Sequence, residues 1–483
     1  MRKPAIRFTS TWVIVLLTAV VVATVTLVVT LTGQGQNVVT SRLLTASDLP
    51  AGWTVVASQP STLDLPKSKC LSGLPTKSTA NITSASVSFA ERSGLPGLGE
   101  YLATGATIMS GYARSVRALA TCHSLTFTQN KKTIQATISP IPLPVVGSAS
   151  AAYSLRFSVA GFPIVVDIAL FRTSKYLGEV IFSDSVPPQT TALGALARAA
   201  AEKANGKIVK VPAISIVSVP VLIAHTTMGD VGYREFGSGP PLVLITGYGG
   251  TMESWDPRFV DALAQHHRVV IFDNAGIGKT HSLATPLTID AMASQTSALI
   301  DALGLKKPDV LGWSMGGMIA QALTVEHPAQ VARLVLCATF PGTGTVKPTQ
   351  AAINDLKSTN STKVLSALFP SDQTAAKEAF GIATGNYPAS SPAPSVVVAA
   401  QTYAVDEWFA GRDSAGGKTA NINVPTLVAD GSVDRLDPVI NAHRLVSQIP
   451  KAKLELYSDA GHAFLFQKVI TFVPTIEAFL NTH

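Results

Sequence analysis

From about residue 221 to its end, the 483-residue chain alternates short apolar runs with helical stretches. "PLVLIT" is followed by "FVDALAQ", "RVVIFDN" by "IDAMASQTSALIDAL", "DVLGW" by "MGGMIAQALTVE", and "RLVLCAT" precedes a longer helical region. "TLVAD", "DPVINAHRLVSQ", "KLELYSD" and "TFVPTIEAFL" complete the series. Runs of four to six apolar residues are too short for buried helices. Each must be buried on both faces, and strands alternating with helices bury them in a parallel sheet between two helical layers. The expectation is a doubly wound, mostly parallel α/β domain over residues 225–483. "IAHTTMGDVGYREFGSG" can add an antiparallel hairpin at its edge. Between "RLVLCAT" and "TLVAD", residues 341–408 read as short helices and a Pro/Ser-rich loop, a helical insertion of the size of a lid.

The part before this repeat has another rhythm. "SAAYSLRFSVA", "PIVVDIALFRT" and "YLGEVIFSDS" read as strands bounded by Gly and Pro, and "TTALGALARAAAEKA" reads as a helix ending before Gly206. "SGYARSVRALATCHS" reads as another helix, with Cys122 at its end. Residues 41–205 are therefore expected to form a small α+β domain with an antiparallel sheet. Spaced prolines in "KIVKVPAISIVSVP" suggest an extended linker over 206–224.

The N-terminus carries Arg2, Lys3 and Arg7, and then Trp12 to Leu31 runs for twenty residues without a charge. A helix of that length spans about 30 Å, the thickness of a bilayer's hydrocarbon core. The flanking charges place the N-terminus inside and the bulk of the chain outside. A signal anchor over residues 1–33 is the expectation, giving a single-pass protein of the cell membrane. Secretion after signal cleavage is the rival reading. Three cysteines occur, and in an exported chain Cys70 and Cys122 can form a disulfide. Cys337 lies in an apolar strand-like run and reads as a buried residue. A net charge of +7 without a basic run gives nucleic-acid binding no support. His123 beside Cys122 makes no metal-ligand set.

Chemistry concentrates around "VLGWSMGGM", residues 310–318. Ser314 falls at the turn between a strand and a helix, with Gly312 and Gly316 two residues to either side. A tight turn there lifts a serine oxygen above the sheet, and the helix N-terminus favours a developing oxyanion. Serine is a weak nucleophile without a base. Downstream, "TLVADGSVDRLDPV" offers Asp430, Asp434 and Asp437. Two histidines follow them before the C-terminal tail. His443 lies mid-helix, whereas His462 follows Gly461 in a loop after a strand, where a base can reach the serine. "LVLITGYGGTMESW" supplies a glycine-rich loop whose Tyr248 amide, with that of Met315, can stabilise an oxyanion.

Taken in order, "VLITGYGG", "VVIFDNAGIGKT", "GWSMGG", "EHPAQVARLVL", "DGSVDRLDPV" and "DAGHAF" resemble the motifs of the α/β-hydrolases. The resemblance implies nucleophile Ser314, acid Asp434 and base His462, with Tyr248 and Met315 donating amides. Asp434 is the acid because the family's acid follows its glycine by three residues; Asp437 then reads as a cap of the next helix. The chain departs from the family's pattern at Thr246, where His is usual before the loop glycine, at Ala275 for a common Arg, and at Thr280 for a Ser. Within the family, carboxylester hydrolysis is the first expectation. The haloperoxidase or perhydrolase and lactone-hydrolase branches use the same triad. Residues 41–205 loosely resemble extracytoplasmic sensor-like and lipoprotein domains of actinobacterial envelopes, which implies an unknown ligand or partner. A non-catalytic binding protein is the reading from another class.

"GIGKT" is not a phosphate loop, because the required first glycine is Asp273. The glycines after Thr246 lack the third spaced position of a dinucleotide fingerprint. No metal or organic cofactor is implied. Leu368, Phe369, Phe380, Tyr403 and Trp408 either line an acyl pocket or pack the insertion onto the core, and the insertion's modest size suggests a small or medium acyl ester.

Overall fold

A computed structural model of the chain describes residues 38–56, 82–105, 108–129, 132–159, 162–185 and 190–481. The expected anchor at 12–31 and Cys70, hence the Cys70–Cys122 bridge, lie outside the described residues. Among the described residues no helix is long and apolar enough to cross a membrane. The chain divides into two compact units at Ser218/Val219.

The first unit is an eight-stranded antiparallel sheet. Its strands are β1 (Thr54–Val56), β2 (Ile82–Ala90), β3 (Gly97–Gly105), β4 (Ser124–Gln129), β5 (Lys132–Ile141), β6 (Ala149–Val159), β7 (Phe162–Arg172) and β8 (Leu177–Asp184), in the order β1-β2-β3-β8-β7-β6-β5-β4. Helix α1 (Ile108–Ala120) lies on one face, where the Tyr153 hydroxyl donates to the Val116 carbonyl (3.0 Å). Helix α2 (Thr190–Ala204) covers the other, packing Leu193, Leu196 and its alanines on Ala169, Phe171, Val180 and Phe182. This double cover explains why β7 is a continuous apolar run: nearly all of it is buried. Residues 207–218, read as linker, send Val209, Val211 and Ile214 into the core of this unit. The Val211 amide donates to the Asp48 carbonyl (2.7 Å).

The second unit has its own eight-stranded sheet: β9 (Leu222–Thr226), β10 (Gly229–Phe236), β11 (Pro241–Ile245), β12 (Arg268–Phe272), β13 (Asp309–Trp313), β14 (Leu334–Cys337), β15 (Thr426–Gly431) and β16 (Ala452–Tyr457). The order is β16-β15-β14-β13-β11-β12-β10-β9. The β9–β10 hairpin is antiparallel and β10 meets β12 antiparallel; every other pairing is parallel. Helices α3 (Pro257–Leu263), α4 (Ile289–Ala302), α5 (Met315–Glu326), α6 (Gln350–Leu356), α7 (Ser361–Leu368), α8 (Thr374–Thr384), α9 (Ser395–Phe409), α10 (Ile440–Gln448), α11 (Phe464–Gln467) and α12 (Val469–Leu480) flank it. Of these, α6 to α9 form the insertion between β14 and β15. Strand β11 pairs with β12 on one side and β13 on the other, so the winding reverses there. Loops leaving the carboxyl ends of β11 and β13 must splay apart, and a crevice opens between them, the usual ligand position in such sheets.

Candidate active site

Only Ser314 separates β13 from α5. Its backbone sits at φ 57° and ψ −122°, a conformation that side chains avoid and that costs on the order of 1–3 kcal/mol. The surroundings hold it there: the Ser314 amide donates to the Cys337 carbonyl (2.9 Å), and its carbonyl accepts from Gly317 (2.9 Å) and from the Thr339 hydroxyl (2.6 Å). Gly316 faces the carbonyl end of β11. A methyl group there would overlap the Ile245 carbonyl, so helix and strand can approach this closely only at glycine.

Of the three candidate carboxylates, one reaches His462. Asp434 Oδ2 is 2.7 Å from His462 Nδ1, and both side chains are buried. Asp434 Oδ1 accepts from the amides of Leu436 (2.7 Å) and Asp437 (2.9 Å), which fixes the carboxylate plane. Asp430 accepts from the Gly431 amide (2.7 Å) and lies close enough to Asp434 to feel its charge. Asp437, expected from its place before Pro438 to cap the next helix, does not cap it. It is fully buried and accepts from the Asn441 side chain (2.8 Å), while α10 begins without a side-chain cap. Burial, and after it the charge of Asp434, push the Asp430 and Asp437 carboxyls well above the ordinary range. Cys337 is fully buried in β14, and burial pushes its thiol up.

His462 is oriented from behind. Its carbonyl accepts from the Trp313 indole (3.0 Å), and the two rings lie 5.8 Å apart. Trp313 in turn meets Phe466 edge-on at 5.0 Å. Ser314 and His462 line one cavity of about 550 Å³. His443 is exposed on α10.

The loop Thr246–Gly250 forms another wall, and its Gly247 lies against Ser314. Among the described residues, the Tyr248 and Met315 amides donate to no backbone acceptor. Residues without an assigned role in the sequence hold this loop. Asn274 donates to the Thr246 carbonyl (3.1 Å), and the Gln401 side chain in α9 accepts from the Gly249 amide (2.8 Å). Asp273 accepts from Met252 (2.7 Å), and burial pushes its carboxyl up to about 6. Asn274 follows β12 in the quoted "DN" pair; Gln401 had no signal, because only the folded insertion brings it to the loop. The departures from the family's pattern take distinct forms. Thr246 buries its hydroxyl with no hydrogen-bond partner among the described residues. Thr280 does the work of a serine: its hydroxyl donates to the Asp273 carbonyl (2.8 Å) and accepts from Gly232 (3.1 Å). Ala275 is buried.

The insertion residues divide. Leu368 and Phe380 line the cavity, Phe369 and Trp408 are buried in packing, and Tyr403 is exposed.

Known proteins resemble this unit. BpoC of Mycobacterium tuberculosis, named a non-heme bromoperoxidase, is 42% identical over 113 residues, 23% of this chain and 43% of BpoC. The chain thus spans less than half the length of that relative. RutD of Caulobacter sp. (strain K31), named a carbamate hydrolase, is 28% identical over 268 residues, 52% of this chain and 95% of RutD. Among solved structures, an alpha/beta hydrolase fold protein from Chitinophaga pinensis is similar with a TM-score of 0.50 and 26% identity, covering 55% of this chain and 99% of that one. Residues 240–469 match the family model of the alpha/beta hydrolase fold. The second unit of this chain belongs to the α/β-hydrolase superfamily.

Proposed function

We propose that the protein is a serine hydrolase of carboxylic esters, anchored in the cell membrane by residues 12–31 with both units outside the cytoplasm. The observation that carries the catalytic reading is the Asp434–His462 hydrogen bond beside the strained Ser314 in one cavity. In this reading His462 Nδ1–H is held by Asp434, so Nε2 accepts the Ser314 proton. Ser314 attacks the acyl carbonyl, and the Tyr248 and Met315 amides stabilise the oxyanion. The protonated His462 returns its proton to the leaving alcohol. Water, deprotonated by the same base, then releases the acid. Helices α6 to α9 act as a lid that shapes the acyl pocket, whose volume suits a small or medium acyl group.

The likeness to BpoC favours a second reading on the same residues, in which hydrogen peroxide replaces water and a peracid leaves. The two readings separate in one assay. The purified full chain is given 4-nitrophenyl esters of increasing chain length with and without hydrogen peroxide, and peracid is measured alongside 4-nitrophenol. Ester turnover without peracid supports the hydrolase. Peracid formation as the faster reaction supports the second reading, and turnover that persists in Ser314→Ala overturns both.

A further inference from the structure

We propose that the cavity selects esters that carry an anionic group remote from the scissile carbonyl, and that Lys357 is the residue that selects them. This rests on the hydrolase reading above. Besides the Tyr248 phenol, which meets the Thr402 hydroxyl (2.7 Å), three ionisable side chains line the cavity: Glu253, His462 and Lys357. Two have their partners within the protein. Glu253 is largely buried and pairs with Arg234 (3.3 Å), and His462 pairs with Asp434 (2.7 Å). Lys357 caps the end of α6 at the cavity wall, exposed, and makes no salt bridge with a carboxylate among the described residues.

Its ammonium is positioned all the same. It lies 5.5 Å from the centroid of the Tyr248 ring and 3.4 Å from the Thr402 hydroxyl, which is itself 2.7 Å from the Tyr248 hydroxyl. The ring face attracts the cation and restrains the stem, and one of three N–H groups is engaged by Thr402. The remaining donors are available to an anion. Tyr248 lines the same cavity as Ser314, and the hydrolase reading gives its amide the oxyanion role, so the cation borders that wall of the cavity. Leu356 and Val398 add apolar surface to the same cavity, where a charge pair is weakened by water less than in the open. A neutral acyl chain gains nothing from this cation; a carboxylate at its far end does.

The test compares two esters of equal length, 4-nitrophenyl hydrogen glutarate and 4-nitrophenyl valerate, on the full chain. The quantity read is the ratio of their kcat/KM values, in which any shared effect on the Tyr248 loop cancels. The wild type should favour the glutarate, Lys357→Met should lower the ratio by about tenfold, and Lys357→Arg should retain it. In the wild type, raising the ionic strength should lower the ratio as screening does, a readout that needs no variant. 4-Acetoxybenzoate against 4-nitrophenyl acetate asks the same of an anion on the alcohol side. Ratios unchanged by Lys357→Met and by salt, with both esters hydrolysed, would overturn the proposal and leave the hydrolase standing. Failure to hydrolyse any of the esters would remove the hydrolase reading itself.

Discussion

At the scale of single residues, the sequence offered three chemically equivalent aspartates, and the loop after β15 distinguishes them. The Asp434 amide donates to the Gly431 carbonyl (3.2 Å), curling the loop so that its third residue meets His462, while Asp430 and Asp437 accept from Gly431 and Asn441. No pattern in the sequence reports that curl except the resemblance to a family that shares it. Asp434→Asn keeps the shape but offers His462 the wrong partner, so kcat on a 4-nitrophenyl ester should fall by about 10⁴-fold. Asp430→Asn removes a carboxyl that does not touch His462 and should change kcat by less than about tenfold. Equal losses in the two variants would show that Asp430 and Asp434 act as one unit. Ser314 was legible as a candidate because its turn demands small neighbours: Gly316 lies against the Ile245 carbonyl. Gly316→Ala should destabilise the second unit by about 1–3 kcal/mol through overpacking, seen as a lower melting temperature.

At the scale of elements, the parallel strands were readable because burial on both faces writes an uninterrupted apolar run. In the first unit only β6 to β8 announced themselves. Strand β2, "ITSASVSFA", is largely half-buried and built from Ser, Thr and Ala, so its alternation is weak. That sheet also buries Glu100, Asp167 and Glu179. Glu100 on β3 accepts from the Leu44 amide (2.6 Å), and burial pushes both its carboxyl and that of Glu179 on β8 up to about 8. Their ordinary value is 4.5, so the folded unit binds protons that the unfolded chain releases. The stability this gives is complete below about pH 4.5 and is lost as pH rises towards about 8. The melting transition of the first unit should therefore move down between pH 5 and pH 9, and Glu179→Gln should flatten the slope. A transition independent of pH would contradict the assignment. In the second unit, α9 reaches back to the Thr246–Gly250 loop through Gln401. Gln401→Leu should lower kcat by about tenfold with little change in KM, because it loosens a donor loop and leaves the pocket walls.

At the scale of the whole molecule, the boundary at Ser218/Val219 falls inside the stretch read as linker. Prolines in "KIVKVPAISIVSVP" imply extended backbone, and extended backbone serves equally for a tether and for a strap whose alternate side chains enter a core; Val209 and Val211 do the latter. The sequence alone could not separate the two. If residues 12–31 anchor the chain as proposed, the protein should stay in the membrane pellet after alkaline carbonate extraction of the cells that produce it. Release into the supernatant would favour a cleaved signal. The assignment on which the rest depends is that Ser314 is an activated nucleophile. Full-length protein and its Ser314→Ala variant, treated with a fluorophosphonate probe and shown to melt alike, test it most directly. Stoichiometric labelling of the wild type at Ser314, with none in the variant, is the expected result. An unlabelled wild type, or a variant labelled equally well, would contradict it.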